Sequence, residues 1–357
     1  MDFSLNEEQQ AVRDLAAQIF QGHAGVDRVK EVEGSAERVD RALWSELAKA
    51  NLLGIGLPDD VGGSGLGFLE LCLLLEQQGR KVAPVPLWAT VVLGALPIAR
   101  FGTVTQRERW LPGVVGGEVF LTAALEDASA VVADHDGRGW RLTGTKLSVP
   151  AGHVASRVLV PAGDRVFLVD PNGPGVECQR AEATDRQLLS HLHLHGAQGE
   201  ALGSAGEVLP WLMPRALVGL CAIQVGVAEE AVALAASYSS TRIQFGRPLS
   251  TFQGAALKAA DAYIDTEAMR VTMWQAAWRL AEGHPADREV EVAKWWASEA
   301  GHRVVHITQH LHGGMGADIE YPVHRYFLWG KQIELTLGGA TRHLADLGAL
   351  LAAGSRP

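Results

Sequence analysis

The stretch STRIQFGRPLSTFQ, residues 240–253, carries side chains that could bind a nucleotide. Arg242 can form paired hydrogen bonds with phosphate oxygens, because its guanidinium presents a planar fork of donors. Phe245 offers a flat face to a planar ring, and Gln253 can both donate and accept hydrogen bonds. The same stretch also suits a packed corner between two helices, in which Pro248 sets a turn and Arg242 is solvated. Taken alone, the stretch favours the packed corner.

A second stretch, HLHGGMGADIEYPVHR at residues 310–325, carries a pair of glycines. Gly313 and Gly314 would let backbone N–H groups approach an anion closely, because glycine has no Cβ. Gln309 and His310 come just before them and can donate hydrogen bonds. Only with this glycine motif and the order of the domains added is the corner better explained as a cofactor site.

Two sets of histidines could suggest a metal site. One set alternates along a predicted strand, and the other recurs every fourth residue along a predicted helix. They are His191, His193 and His195, and His302, His306 and His310. No Asp, Glu or Cys obviously completes either set of ligands, so packed or solvated histidines are favoured and no metal site is predicted.

Composition indicates a soluble globular chain. Its 357 residues are 47% hydrophobic and 20% charged, which suits a well-filled core in two or three domains. The formal net charge of −10 argues against a nucleic-acid surface, which needs clustered Lys and Arg. Cys72, Cys178 and Cys221 lie too far apart for a disulfide framework or a zinc site, so they are expected to be reduced thiols of a cytoplasmic protein.

The N-terminal residues MDFSLNEEQQAVRDLAAQIF begin acidic and continue as an amphipathic pattern, unlike a secretory signal. No apolar run is expected to reach the roughly 18 to 20 residues that a membrane span needs. The sequence therefore predicts neither export nor a membrane partner.

The order of the elements predicts an α+β chain that is mainly α. Residues 1–115 form an N-terminal helical domain, in which the helix of FLELCLLLEQQGR should end at Gly79. Short β-branched runs with Gly and Asp-Gly turns predict a central antiparallel β-domain at 116–207. Long helical patterns in residues 208–357 predict a C-terminal four-helix bundle. Its helices are expected at about 211–240, 250–283, 287–311 and 322–352.

In this order, the motifs resemble the acyl-CoA dehydrogenase family over nearly the whole chain. The corner resembles the family's R-x-x-F-G-x-x-(I/L)-x-x-x-Q motif, and LGIGLPDDVGGSGLGFLELCLLLEQQGR and WRLTGTKLSVPAGHVASRVLV resemble its first-domain loop and β-domain hairpin. The glycine stretch resembles Q-x-x-G-G-x-G-(Y/F)-x-x-E-(Y/F)-P-(V/L)-x-R with two departures. His310 stands at the glutamine position, with Gln309 one residue early, and Ala317 replaces the aromatic residue.

The resemblance implies an FAD site built by two facing subunits. In the family, the β-domain of one subunit holds the flavin ring, and the helical domain of its neighbour holds the ADP end. This chain's contribution to a neighbour's FAD would come from the corner and the glycine stretch. The implied residues are Arg242, Phe245, Gln253, Gln309 or His310, Gly313 and Gly314.

The family reaction needs a carboxylate that removes the proton alpha to the thioester carbonyl, while the beta hydride passes to the flavin. The resemblance places this base at Leu337 or, in some members, at Ala216, and neither residue has a carboxylate. Glu334 lies about one helical turn, roughly 5 Å, before Leu337. Glu334 is therefore a weak candidate that would need a rearranged site, and a partly exposed or capping carboxylate explains it better, because well-placed acids also serve structural ion pairs. No catalytic residue is therefore predicted.

The segments that should hold the flavin ring also depart from the family. LTAALEDASA at 121–130 replaces L-T-E-P-x-x-G-S-D, and LSVPA at 147–151 replaces x-W-I-T-N. Thr122 is retained, but the Glu-Pro turn and the aromatic residue are missing. We expect the half-site for this chain's own flavin to be degraded, and the half-site donated to a neighbour to be largely intact.

With this asymmetry, the sequence resembles one subunit of the α2β2 acyl-CoA dehydrogenases that act in actinobacterial sterol and bile-acid side-chain β-oxidation. The subunit it resembles is the one that lacks the catalytic base. The resemblance implies FAD as cofactor, an acyl-CoA thioester such as a sterol side-chain CoA as substrate, and electron-transfer flavoprotein as oxidant. A paralogous subunit would carry the catalytic Glu. Two alternatives stay open, namely a self-contained flavin enzyme of the same fold with different chemistry, and a non-enzymatic scaffold or CoA-ester binder.

Overall fold

A computed structural model of the chain describes residues 3–354. Along the chain, helices come before and after a central group of strands, so the predicted fold class is confirmed. The chain divides into two compact units. One consists of Met1–Val29, Cys72–Ala83 and Leu217–Pro357, and the other of Lys30–Leu71 and Pro84–Ala216. The three-domain division at 1–115, 116–207 and 208–357 stays a prediction.

The N-terminal region contains six α-helices, counted within residues 3–354. They are α1 (Glu7–His23), α2 (Val26–Glu33), α3 (Arg41–Lys49), α4 (Phe68–Arg80), α5 (Leu96–Phe101, preceded by a π-helical segment Trp88–Ala95) and α6 (Val104–Val115). Asn6 caps α1, because its side chain accepts from the Gln9 N–H while the Gln9 side chain accepts from the Asn6 N–H.

Gly79 has a role that the sequence did not reveal. Helix α4 passes through it and ends at Arg80, so Gly79 is not the helix end that was predicted. A Cβ at Gly79 would lie 2.1 Å from the backbone oxygen of Ile223, which belongs to a C-terminal helix of the same compact unit. Glycine is therefore required because two helix backbones approach each other closely here.

The central region is a seven-stranded sheet with strand order β1-β4-β5-β7-β3-β2, and β6 pairs with β7. The strands are β1 (Leu121–Ala123), β2 (Glu126–His135), β3 (Trp140–Pro150), β4 (Arg157–Ala162), β5 (Arg165–Val169), β6 (Val176–Glu182) and β7 (Leu188–Leu202). β1 and β4 are parallel and all the other pairs are antiparallel, in keeping with the predicted β-domain. One face packs on a core that includes Leu142, Val158, Phe167 and Leu192.

The C-terminal region contains five long or medium helices within the described residues. They are α7 (Val208–Thr241), α8 (Gln253–Ala281), α9 (Asp287–His312), α10 (Val323–Leu335) and α11 (Ala340–Gly354). The predicted fourth helix, 322–352, is therefore two helices. The break occurs because Leu337 and Gly338 have φ values of 59° and 109°, outside the α-helical region.

Helix α7 is long and apolar enough to cross a membrane by length and composition, so the expectation that no apolar run reaches this length was wrong. Of its most apolar 18-residue window, 72% is buried inside the protein. A mostly buried apolar helix passes the same test as a membrane span, so α7 is explained as a core helix.

Candidate nucleotide-binding site

The corner between α7 and α8 is a short β-hairpin. Strand β8 (Ile243–Gln244) pairs with β9 (Arg247–Pro248), and the Leu249 N–H donates to the Arg242 carbonyl at 2.9 Å. A 3₁₀ turn at Leu249–Thr251 then leads into α8. The hairpin thus holds the side chains of the corner motif in the connection between two helices.

Phe245 and Gly246 form the two-residue turn of this hairpin, with φ values of 52° and 78°. Such a turn favours Asn-Gly, because β-carbon crowding makes a positive φ unfavourable for most residues. Phe245 is also 92% exposed, so little burial inside this chain offsets the strain. Strained backbone at an exposed aromatic residue is typical of a binding site.

The corner pocket is a cavity of about 560 Å³. It is lined by Tyr238, Arg242, Gln244, Phe245, Leu249, Phe252, Gly254, Ala255, Lys258, His310, Leu311, His312 and Gly313. Two of its rings, Phe245 and Phe252, lie edge to face with centroids 6.2 Å apart. All of these residues belong to the compact unit that includes Leu217–Pro357.

His310, and not Gln309, lines the corner pocket. The Gln309 side chain packs against Gly316 instead. A Cβ added at Gly316 would lie 2.9 Å from the Gln309 amide nitrogen. Gly313 has a φ of 58° and open space where a Cβ would stand, and Gly314 has open space as well. Gln253 is exposed at the start of α8 but does not line the cavity.

The charges around the corner pocket suit an anion. Arg242 and Lys258 form no ion pair within residues 3–354, and no lining residue carries a carboxylate. Helix α8 begins at the pocket, and a helix N-terminus favours negative charge.

The His312 ring is held in place at the corner pocket. Its Nδ1 lies 2.7 Å from the Thr308 carbonyl, its ring stacks on Tyr238, and burial lowers its pKa. Aromatic faces, unpaired cations and a glycine at positive φ are the groups that would hold a planar base and phosphates. The corner pocket therefore fits the ADP end of FAD.

Neither position implied for the catalytic base offers a proton acceptor side chain. Leu337 lies in the break between α10 and α11, and its carbonyl is 3.2 Å from Nε2 of His343. Ala216 is fully buried in α7, and its carbonyl accepts from the Trp88 indole N–H at 3.0 Å.

Glu334 is held by other charged groups. Its Oε2 lies 2.6 Å from Nζ of Lys331 and 3.1 Å from Nδ1 of His302. Its backbone carbonyl accepts at 3.2 Å from Lys294, whose pKa is lowered to about 8 by burial. The carboxylate thus takes part in an ion pair within the helical unit, and its lack of a catalytic role stays a prediction.

The segments implied for the flavin ring are engaged in strand pairing. Strand β2 pairs with β3 from Glu126 onward, so that Asp127 stands opposite Lys146. Lys146 is almost fully buried and forms an ion pair with Asp127, and burial lowers its pKa. Thr122 is buried in β1 and its hydroxyl has no partner. Both segments belong to the outermost strands of the sheet path, β1 and β2, and to β3 beside β2, and the loss of this chain's own flavin-ring half-site stays a prediction.

The two histidine sets do not converge on a metal site. The rings of His302 and His306 lie 4.1 Å apart while His310 lines the corner pocket, and His191 and His193 bond to residues of β3. A different group, Glu291, His343 and Asp346, brings its ligand atoms within 4.8 Å of one another. The sequence search missed it because Glu291 is 52 residues from His343. Both nitrogens of His343 already face oxygens, of Glu291 and of Leu337.

The comparisons with known proteins agree with this architecture. The family model for the acyl-CoA dehydrogenase N-terminal domain matches residues 6–118, and that for the C-terminal domain matches residues 213–349. Acyl-CoA dehydrogenase FadE27 of Mycobacterium tuberculosis is 40% identical, over 99% of both chains. A chain of the Tcur3481–Tcur3483 steroid ACAD structure is 50% identical with a TM-score of 0.94, over 99% of both chains. A chain of the ChsE4–ChsE5 complex from Mycobacterium tuberculosis is 40% identical with a TM-score of 0.96, over all of both chains.

Proposed function

We propose a role for this chain, which belongs to the acyl-CoA dehydrogenase family. It is one subunit of a hetero-oligomer, and it binds the ADP end of the FAD held by its partner subunit. A paralogous subunit supplies the flavin-ring site and the catalytic Glu. FAD is the cofactor of the family, and the reaction is the alpha,beta-desaturation of an acyl-CoA thioester.

The observation that carries the proposal is the contrast between the two half-sites. The corner pocket offers unpaired Arg242 and nearly fully exposed Phe245, whereas both implied base positions lack a carboxylate. A homo-oligomer of such chains would combine nucleotide pockets with ring segments that depart from the family, and would have no base. A hetero-oligomer would complete one functional site with residues from both chains.

Within that site, the residues of this chain bind and orient. The Arg242 guanidinium is suited to pair with pyrophosphate oxygens, and Phe245 to cover the planar base. Gly313 adopts its φ of 58° without strain. Because it has no Cβ, its backbone can also approach the phosphates closely. When bound, FAD supplies the hydride acceptor, while proton removal falls to the partner.

The proposed substrate and oxidant are inferred from similar proteins of the family. One similar structure is described as a steroid ACAD, and another is a two-component complex. A steroid-derived acyl-CoA is therefore the proposed substrate, and electron-transfer flavoprotein is the proposed oxidant. The free thiols of Cys72, Cys178 and Cys221 suit the proposed cytoplasmic location.

Flavin absorbance measured on the chain alone and on the chain co-expressed with its paralogue tests the proposal. We expect a colourless lone chain and a yellow complex that holds fewer flavins than subunits. Stoichiometric FAD on the lone chain would favour the self-contained flavin enzyme instead. A complex that is colourless even with added FAD would favour a scaffold.

The Arg242→Ala variant sharpens this test. Loss of a charge-assisted contact with pyrophosphate should weaken FAD binding by the complex about 10- to 100-fold. Arg342→Ala removes an exposed arginine that pairs with Asp346 at 3.7 Å and should leave FAD bound. Equal FAD content in both variants would place the nucleotide elsewhere.

A further inference from the structure

We propose that the corner pocket binds an adenosine diphosphate group by itself, with no flavin attached, and that Lys258 is a cation contact in addition to Arg242. The inference rests on the function proposed above and extends it to ligand class and regulation. Free ADP would occupy the corner pocket and compete with FAD for it.

The first argument is that the corner pocket is complete within one chain. Its walls come from the end of α7, the β8–β9 hairpin, the start of α8 and the end of α9. All of them lie in a single compact unit. The polar and aromatic groups on these walls are therefore in place before any partner arrives, and preorganised groups bind a ligand without an ordering cost.

The second argument concerns Lys258. It stands one helical turn after Ala255, so both face the cavity from α8, close to the N-terminus of that helix. Lys294 donates to the Ser298 hydroxyl and to backbone carbonyls, and four further lysines each have a carboxylate partner. These are Lys49, Lys81, Lys146 and Lys331, paired with Glu46, Glu230, Asp127 and Glu334. Lys258 has no such partner among the described residues, although it borders a pocket that Arg242 also borders.

Two unpaired cations at one cavity repel each other unless an anion lies between them. The start of α8 adds partial positive charge, because the first N–H groups of a helix have no partner within the helix. A diphosphate carries enough negative charge to meet both side chains together. A single neutral base would leave both cations without a partner.

The third argument is size and shape. A volume of about 560 Å³ lies within the range of pockets that enclose one drug-sized ligand. The perpendicular rings of Phe245 and Phe252 offer a face and an edge to a planar base. The corner pocket therefore matches a nucleotide with its phosphates, and the flavin ring needs another surface.

The regulatory consequence is competition for cofactor loading. An ADP group held in the corner pocket excludes the ADP end of FAD, since the two use the same contacts. FMN lacks an ADP group and would not compete. Coenzyme A carries a 3′-phosphorylated ADP group, so it could bring the same chemistry from a second source.

Calorimetric titration of the flavin-free full-length chain with ADP, FMN and coenzyme A tests the inference, after circular dichroism has shown that the chain is folded. If the lone chain does not fold, the same titrations use the flavin-free complex, with substitutions made only in this chain. We expect ADP to bind and FMN not to bind. FAD added to the complex should displace the ADP, and displacement by coenzyme A is expected only where FAD also displaces it, because both molecules carry an ADP group.

Lys258→Gln is the matched variant. It should weaken ADP binding at least about tenfold, the effect of losing one hydrogen bond from a charged group, while Lys258→Arg should retain most of the affinity. Lys49→Gln removes a lysine that pairs with Glu46 and should leave ADP affinity unchanged. Equal affinities for the Lys258→Gln and Lys49→Gln variants would overturn the role of Lys258.

Failure of the inference can be told apart from failure of the proposed function. A complex that binds FAD but shows no ADP binding overturns the inference and leaves the proposed function standing. Displacement of ADP by coenzyme A but not by FAD makes the corner pocket a coenzyme A site and overturns both. Absence of binding by either ADP or FAD also overturns both.

Discussion

At the scale of single residues, Phe245 combines two unfavourable features. Its φ of 52° places it in the left-handed region, and its side chain is 92% exposed. Asn is better tolerated at such a φ and is preferred before Gly in this kind of turn. Residues that reduce the stability of the free chain in this way are found where a ligand or partner benefits from them.

Phe245→Asn should therefore stabilise the chain and impair its proposed function. We expect the free energy of unfolding to rise by about 1 kcal/mol, because the turn strain is relieved and almost no burial is lost. The complex should retain less FAD. Urea denaturation of the chain and flavin absorbance of the complex measure the two effects.

Ile243→Thr serves as the control, because it removes an exposed apolar group from the same hairpin at a residue with no positive φ. It should bring no gain in the free energy of unfolding. A Phe245→Asn variant that is less stable than the parent chain would contradict the account of the turn.

Asp185 carries a pH-dependent cost. Burial raises its pKa to about 6, although it accepts hydrogen bonds from the Gln187 N–H and amide at 3.1 and 2.7 Å. Because the pKa is higher in the folded chain, the folded state holds this proton over a pH range in which the unfolded chain has lost it. Stability from this residue therefore falls as pH rises from about 4 to 6.

Asp185→Asn should raise the free energy of unfolding at pH 8 by about 3 kcal/mol and change it little at pH 4. Urea denaturation at the two pH values measures the difference. Asp136→Asn is the control with opposite sign, because N–H donation from Arg138 and pairing with Arg141 lower the pKa of Asp136. It should reduce stability at pH 8. Equal gains for Asp185→Asn at both pH values would contradict the burial of a charged form.

At the scale of elements, the close contact of α4 and α7 depends on glycines from both helices. A Cβ at Gly226 would lie 2.0 Å from the Glu76 carbonyl, and one at Gly79 would lie 2.1 Å from the Ile223 carbonyl. Around this contact, Arg270 of α8 pairs with Glu76 and Glu229, which joins three helices of one compact unit. The glycines set the helix spacing that the ion pairs require.

Gly79→Ala should lower the free energy of unfolding by about 2–3 kcal/mol, because backbone must move to admit a methyl group. Gly22→Ala makes the same change in α1, where nothing lies within 4 Å of the new Cβ. It should raise stability by about 0.5–1 kcal/mol through helix propensity. Thermal unfolding of both variants tests the pair, and a neutral Gly79→Ala would show that the helices are not in close contact.

At the scale of the whole molecule, the two half-sites of the FAD site belong to different compact units of the chain. The corner pocket lies in the unit that includes Leu217–Pro357, and the ring segments lie in the other unit. Substitutions at Leu337 and at the ring segments therefore act on different steps of site assembly. Restoring one missing part does not restore the other.

Leu337→Glu should accordingly add no dehydrogenase turnover to the lone chain and none per FAD to the complex. The new carboxylate would face no flavin of this chain if its ring half-site is degraded, as the missing Glu-Pro turn and aromatic residue predict. Steady-state rates per bound FAD measure this, with substitution of the partner's catalytic Glu as the control that abolishes activity. Turnover by the lone Leu337→Glu chain would show that its ring segments are functional.

The order of helices and strands could be predicted from the sequence, because long 3.6-residue and short alternating patterns each have one simple explanation. The break at Leu337 could not be predicted, because leucine is not a residue type that favours a left-handed φ. His310 and Gln309 were equally plausible until helix register brought His310 to the cavity. Lys258 was missed because it belongs to no motif and reaches the corner pocket only through the helical turn after Ala255.

The exposed hairpin also has a consequence for the life of the chain in the cell. An orphan copy displays a bulky aromatic side chain on a strained tip, the type of surface that quality-control chaperones and proteases recognise. Assembly with the cofactor would hide it. The abundance of this polypeptide should therefore follow the synthesis of its companion and the supply of riboflavin, even if its own messenger RNA is plentiful.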